Sequence, residues 1–377
     1  MNARPCALVL FVVLLACADG PASDSAARAA TDGASATTAA PPASTAVDLT
    51  GAGATFPYPL YARWFNEYAA HSGVRVNYRS VGSAIGIGEV VAGTVDFGAT
   101  DVPMTDAELA AARAPIVHVP TALGAVAITY NLPALTRPLR LSGEVIADIF
   151  LGRITRWNDA RLVALNPGAM LGADSILVVH RSDGSGTSYI LSDYLSKVSP
   201  QWAAGPGRGI DIRWPTGSAG SGNEGVAGAV KQAPGSIGYL EVVYARQNRL
   251  RVAHIRNAAG RFMSPMPFEI ASASTSALAA LRRANGAGAS AAPDLRVSIV
   301  NTSDPQAYPI ASFTWMLISP SAIGPRKTQQ LVDFLRWALL DASGTATSLG
   351  YVALPTESAE LVLDGLQSIV TASPSGR

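Results

Sequence analysis

Apolar and polar positions along this chain follow two alternating periods. Tyr61, Trp64, Phe65 and Tyr68 stand at i, i+3, i+4 and i+7, which puts four aromatic rings on one face of a helix. Val74, Val76 and Tyr78 then alternate with other residues, the pattern of a half-buried strand. Thr105-Asp106-Ala107-Glu108 has the form of a capping box at a helix start. Ile176 to Val179 reads as a short buried strand that enters a glycine-rich turn and then a helix carrying Leu191, Tyr194, Leu195 and Val198. Late in the chain, Leu331, Phe334, Leu335, Ala338 and Leu339 mark another amphipathic helix. We find no internal repeat, and the strand–helix alternation predicts an α/β protein. Its 377 residues are enough for two lobes, each with a core.

The first 47 residues escape this pattern. Ala7 to Ala16 is an unbroken apolar run behind Arg4, suited to the core of a signal peptide and too short to span a bilayer. It ends in Leu14-Leu15-Ala16-Cys17, which resembles a bacterial lipobox. That likeness implies removal of residues 1–16 and a lipid on Cys17; an ordinary signal peptide cut nearby, with Cys17 incidental, is the alternative. Ala18 to Val47 is almost entirely Ala, Ser, Thr, Pro, Gly and Asp. Such a segment cannot bury enough surface to offset its ordering entropy, so we expect a flexible tether spanning about 30 Å. The second cysteine, Cys6, falls within the segment that would be removed, so the exported protein is expected to rely on packing rather than disulfides.

Charge and chemistry narrow the choice of function. A formal net charge of +1 offers no field for nucleic acid. The histidines at 71, 118, 180 and 254 are scattered and no carboxylates cluster at metal-ligand spacing, so neither a metal nor a cofactor is expected. Three glycine-rich polar turns, each between a strand-like and a helix-like run, are more informative. They are Gly51-Ala52-Gly53-Ala54-Thr55-Phe56-Pro57, Val81-Gly82-Ser83-Ala84-Ile85-Gly86 and Arg181-Ser182-Asp183-Gly184-Ser185-Gly186-Thr187-Ser188. In the first, Pro57 suits the first helical turn and Thr55 the cap before it. Each turn sets a hydroxyl and unpaired backbone amides at a helix start, where the helix dipole favours an anion. One such turn commonly does no more than start a helix. Three of them, with Arg181 able to offer a planar fork of donors, point to a tetrahedral oxyanion.

Asp101, in Gly98-Ala99-Thr100-Asp101, is the odd member. A carboxylate repels an anion unless the anion carries a proton to donate. Inorganic phosphate does so at neutral pH, whereas sulfate and molybdate do not. A site built around a ligand hydroxyl rejects its analogue by roughly 10⁴-fold. Otherwise Asp101 serves only to cap a turn before Pro103.

These turns resemble those of the PstS family, the periplasmic phosphate-binding proteins of phosphate ABC transporters. The resemblance runs from about Leu49 to Pro355. It includes Leu151-Gly152-Arg153-Ile154-Thr155-Arg156-Trp157-Asn158-Asp159, similar to the family's Gly-Lys-Ile-x-x-Trp segment, and Trp214-Pro215-x-Gly followed by Gly222-Asn223-Glu224-Gly225. Gly235-Ser236-Ile237-Gly238-Tyr239 and Tyr351-x-x-Leu354-Pro355 complete it. The resemblance implies a two-lobed α/β fold of the type II periplasmic-binding-protein kind, with hinge strands and a ligand cleft between the lobes. The expected lobes are 48–127 with 312–377, and 128–311, with crossings near Ala125–Tyr130 and Tyr308–Ile318.

By the same resemblance, Thr55 and the Phe56 amide bind phosphate oxygens from the first turn and Ser83 from the second. Asp101 accepts the ligand proton, and Arg181, oriented by Asp183, supplies the cationic contact. Ser185, Gly186 and Thr187 complete the cradle. The second turn departs from the family's frequent Gly-Ser-Ser-Gly-Gly, since Ala84 and Ile85 remove a hydroxyl and a glycine. His180, where the family often has another basic residue, is read as flanking. The implied partners are phosphate, the membrane subunits of an ABC importer and the membrane itself through the lipid; the protein is expected to be a monomer. A phosphate sensor or adhesin on the same scaffold is one alternative. The other is a phosphatase using Ser185, although Gly184-Ser185-Gly186 lacks the Gly-x-Ser-x-Gly spacing of a nucleophile elbow.

Overall fold

A computed structural model describes residues 48–286 and 296–372. The expected leader, Cys17 and the tether lie outside the described residues. The strands, in chain order, are β1 (Leu49–Gly53), β2 (Val76–Ser80), β3 (Phe97–Thr100), β4 (Val117–Tyr130), β5 (Arg140–Leu141), β6 (Leu177–Arg181), β7 (Ser218–Gly220), β8 (Ser236–Glu241), β9 (Arg251–Val252), β10 (His254–Arg256), β11 (Phe262–Met263) and β12 (Ala311–Ile318). Nine form one sheet in the order β2-β1-β3-β12-β4-β8-β6-β7, with β9 also on β4. The remaining three, β11-β10-β5, make a small second sheet.

Both halves of the large sheet are parallel at their outer ends and antiparallel in the middle. β1 runs parallel to β2 and β3, and β6 runs parallel to β7 and β8. Parallel strands need helices over their connections and end their carboxyl termini on the same side. The long strand β4 joins the halves. It pairs antiparallel with β12 from Val117 to Ala125, then with β8 from Val126 to Tyr130. The result is two α/β lobes; β4 contains Ala125–Tyr130, whereas β12 begins at Ala311, three residues after the start of the strand-like run expected at Tyr308–Ile318.

The predicted elements form where the periodicity places them, with a few shifts. The helix Tyr58–Ser72 buries Tyr61, Trp64, Phe65 and Tyr68 together with Leu60. Phe65 packs against Tyr78, Phe97 and Phe334 at ring separations of 5.9, 6.0 and 5.3 Å, and such pairs contribute about 0.5–1.5 kcal/mol each beyond burial. Thr105 and Glu108 make the reciprocal capping box. Val74 is buried but precedes β2. The strand expected at Ile176–Val179 begins one residue later and extends to Arg181; its first residue, Leu177, is half exposed because β7 pairs only from Val179 onward. The late apolar stripe is buried, and it continues past the helix Pro325–Arg336 into a π-helical turn, Trp337–Asp341. Trp157 is buried and donates from Nε1 to the Gly235 carbonyl at 3.0 Å.

Gly53 shows how tightly β1 is enclosed. Its φ is +142°, and a Cβ built there would lie 2.1 Å from the Ala99 carbonyl oxygen of β3. Backbone cannot yield as a side chain does. We therefore expect Gly53→Ala to destabilise the fold by about 2 kcal/mol or more, read as a lowered urea midpoint.

Candidate anion-binding site

The carboxyl ends of the parallel strands from both lobes meet, and every expected ligand lies just beyond one of them. Thr55 follows β1, Ser83 follows β2 and Asp101 follows β3; Arg181 ends β6 and is followed by Ser185, Gly186 and Thr187. This is where open α/β sheets bind ligands. All these polar residues are buried although they sit on turns.

The second lobe's turn is braced from within. The Arg181 guanidinium forms a two-pronged pair with Asp183, Nε reaching Oδ1 at 2.8 Å and Nη2 bonding to Oδ2. A third donor, Nη1, reaches Thr187 Oγ1 at 3.1 Å. An arginine has five N–H donors, so two are left to face a guest. Asp183 Oδ1 also accepts from the Gly222 amide at 3.0 Å. Burial pushes the Asp183 carboxyl up, but the hydrogen bonds and charge of Arg181 outweigh it and leave it below its ordinary value. The Tyr239 hydroxyl accepts from the Arg181 amide at 3.1 Å and meets Ser188 Oγ at 2.6 Å, fixing the base of the turn. Ser185 caps the helix Gly186–Val198 by accepting from the Ser188 amide at 3.1 Å, which leaves its hydroxyl proton available.

The first lobe presents the acid. Thr314 of β12 donates to Asp101 Oδ1 at 2.7 Å, beside a register irregularity between Thr314 and Trp315. Ser83 Oγ lies 3.4 Å from Asp101 Oδ2 and accepts from the Asp101 amide at 3.3 Å. Burial raises the Asp101 carboxyl to about 7, held back by the Thr314 hydrogen bond, the charge of Arg181 and the Ser83 hydrogen bond. The lobes touch at this point. A Cβ on Gly186 would come within 2.5 Å of both Asp101 Oδ2 and Ser83 Oγ, so only glycine permits the approach. The Ala84 amide donates across to the Gly184 carbonyl at 3.1 Å.

Two details differ from the sequence expectation. Pro57 stands at the cap position rather than inside the first turn, and Thr55 does not cap with its side chain. Its hydroxyl is taken instead by Asn223 Nδ2 at 2.7 Å, while its carbonyl accepts from the Tyr244 hydroxyl at 2.6 Å. Phe56 is buried, and its carbonyl accepts from Tyr351 at 2.7 Å. His180 stacks on Trp214 and contacts the Arg181 carbonyl at 3.0 Å. Asn223, Thr314, Tyr239 and Tyr244 are functional candidates that sequence reasoning missed. Asn223 lies in a segment already noted, Gly222-Asn223-Glu224-Gly225, but a lone asparagine at a helix start resembles any capping residue.

Two α/β lobes whose facing turns bring buried polar side chains together define a periplasmic-type solute-binding protein. In agreement, residues 33–342 match the PBP superfamily domain. The chain is 43% identical over 310 residues to the phosphate-binding protein PstS of Pasteurella multocida, covering 82% of this chain and 87% of that one. It is 40% identical over 318 residues to PstS of Haemophilus influenzae, covering 84% and 91%. The chain belongs to the PstS family. Its fold is similar to that of a phosphate-binding protein from Stenotrophomonas maltophilia, with a TM-score of 0.64, 19% identity and coverage of 88% and 100%. It is also similar to a high-affinity periplasmic phosphate-binding protein solved with phosphate at pH 8.5, with a TM-score of 0.63, 22% identity and coverage of 84% and 93%.

The raised Asp101 carboxyl has a consequence for stability. Between its ordinary value of 3.8 and about 7 the folded chain holds a proton that the unfolded chain has released. Stability must therefore fall as pH rises through that window, and the penalty is complete above about pH 7. Asp101→Asn stays neutral throughout. In buffers free of tetrahedral oxyanions, its urea midpoint should exceed that of the parent at pH 8 and match it near pH 4.

Proposed function

We propose that this chain binds inorganic phosphate outside the cytoplasmic membrane and delivers it to a phosphate ABC importer. The observation that carries this reading is a buried site made almost wholly of donors, with one buried carboxyl among them. Arg181, the hydroxyls of Thr55, Ser185 and Thr187, and the amides of Phe56 and Gly186 supply donors to a tetrahedral anion, and Ser83 joins them by turning its one proton from Asp101 to the anion. Asp101 accepts a proton that phosphate carries, while sulfate would set lone pair against lone pair. Charge-assisted hydrogen bonds contribute roughly 1.5–3 kcal/mol each, so several of them, less the cost of closure, support micromolar or tighter binding.

Phosphate contacts groups of both lobes and so favours the closed arrangement by differential contact. The lobes are 48–127 with 312–377, and 128–311; the change of β4 pairing at Ala125 and Val126 and the start of β12 at Ala311 support that division. Ser185 acts as a ligand rather than a nucleophile: its hydroxyl caps a helix, and His180 is engaged with Trp214 and the Arg181 carbonyl. The protein works as a non-enzymatic monomer, exported by its leader and held at the membrane by a lipid on Cys17.

Isothermal titration of the purified protein with phosphate and then sulfate tests the reading. Binding of sulfate as tight as that of phosphate would overturn it. Arg181→Ala should weaken phosphate binding by at least about 100-fold, the loss of two charge-assisted bonds. Asp101→Asn should narrow a phosphate-over-sulfate preference of roughly 10⁴-fold to below about 100-fold.

A further inference from the structure

Asn223 is fully buried at the start of the helix Gly222–Gln232, yet it has no place in the ligand set above. Its Oδ1 accepts from the Glu241 backbone amide at 2.9 Å. A backbone N–H can only donate, so the side-chain amide has one orientation and Nδ2 faces the other way. There it meets Thr55 Oγ1 at 2.7 Å and Thr187 Oγ1 at 3.4 Å, one hydroxyl from each lobe. Nδ2 has hydrogens and no lone pair to share, so both hydroxyls must accept from it. Thr187 Oγ1 accepts from Arg181 Nη1 as well, at 3.1 Å. Both of its acceptor places are then filled, and only its proton is left to offer.

We propose that Asn223 is a positioning residue that makes the Thr55 and Thr187 hydroxyls obligatory donors to the bound anion, and that it does so for Thr55 only when the lobes are closed. The inference rests on the phosphate reading and deepens it. Opening separates Asn223 from Thr55 and frees that hydroxyl to turn its lone pairs toward the anion. Closure then adds a correctly oriented donor at the moment the second lobe arrives. The Tyr244 hydroxyl, on the Thr55 carbonyl, holds the same residue from the same lobe. Because the device orients donors, it grips any tetrahedral oxyanion and leaves the choice between phosphate and sulfate to Asp101. Its effect therefore falls on release.

The experiment measures association and release of radiolabelled phosphate with the full chain. Asn223→Ala should release phosphate roughly five- to tenfold faster, the loss of about one hydrogen bond, with association within about twofold of the parent. The phosphate-to-sulfate ratio should not change. In a Thr55→Val, Thr187→Val background, Asn223→Ala should add less than about twofold, because the hydroxyls it orients are gone. Asn223→Asp keeps the size and the acceptor for the Glu241 amide but replaces the donor with a charge. It carries the test if the alanine variant fails to fold, because its faster release should shrink in the double-valine background if it acts through the hydroxyls, whereas a full effect there, the mark of charge repulsion alone, overturns the proposal. Release at the parent rate from a folded Asn223 variant, or a full additive effect in the double-valine background, overturns the proposal. A parent protein that binds no phosphate would instead remove the functional reading beneath it.

Discussion

The arrangement depends on keeping a carboxyl and a guanidinium in the same dry space. Asp101 and Arg181 are both buried, one from each lobe, and neither is simply paired with the other. Arg181 is held by Asp183 behind it, so its remaining donors point away from its own partner. Asp101 is held by Thr314 and Ser83, and burial keeps it poised to share a proton. Burying a charge is costly unless it is paired; Arg181 is paired by Asp183, and the Asp101 carboxyl limits the cost by holding its proton up to about pH 7. In the proposed reading, a protonated oxyanion would accept from the donors that Arg181 has left and give its proton to Asp101.

The sheet supplies the geometry for this. The parallel strands of each half end on the same side, so five separate turns reach one point without any long loop. The starts of the helices that follow add their amides to the same point. β4 belongs to both halves and pairs with β12 and then with β8, so the two sets of turns are joined through this one continuous strand. A few close approaches complete the seal. Gly186 comes against Asp101 and Ser83, and Gly82 comes against Asp183, where any larger side chain would hold the lobes apart. The departures Ala84 and Ile85 in the second turn fit this picture. The Ala84 amide bonds across to Gly184, so the backbone at that position serves closure, while Ile85 is half exposed.

Much of this was legible in the sequence because it is local. Periodicity at Tyr61–Tyr68 and at Leu331–Leu339 reports which face of a helix must leave water, and that follows from spacing alone. Glycine-rich turns before helices announce backbone amides in need of an anion, and an arginine and an aspartate nearby limit which anion. The α/β class follows from such signals, whereas the crossings near Ala125–Tyr130 and Tyr308–Ile318 and the grouping of the named residues around one ligand rest on the resemblance to the PstS family. Thr314, Asn223 and Tyr244 do not, because their roles depend on partners 213, 168 and 189 positions away. Thr55 was misread as a helix cap for the same reason. A threonine before a proline and a helix is a good local cap, but in the folded chain a distant amide competes for its hydroxyl and wins.

The sequence by itself thus determined which segments are strands and helices and what type of ligand the turns can hold, since propensity, periodicity and helix-end chemistry act over a few residues. Only the tertiary structure decided how each hydroxyl is turned, how far the Asp101 carboxyl is shifted and where the lobes touch. Those properties are set by burial and by contacts between residues far apart in the chain, and no local pattern encodes them.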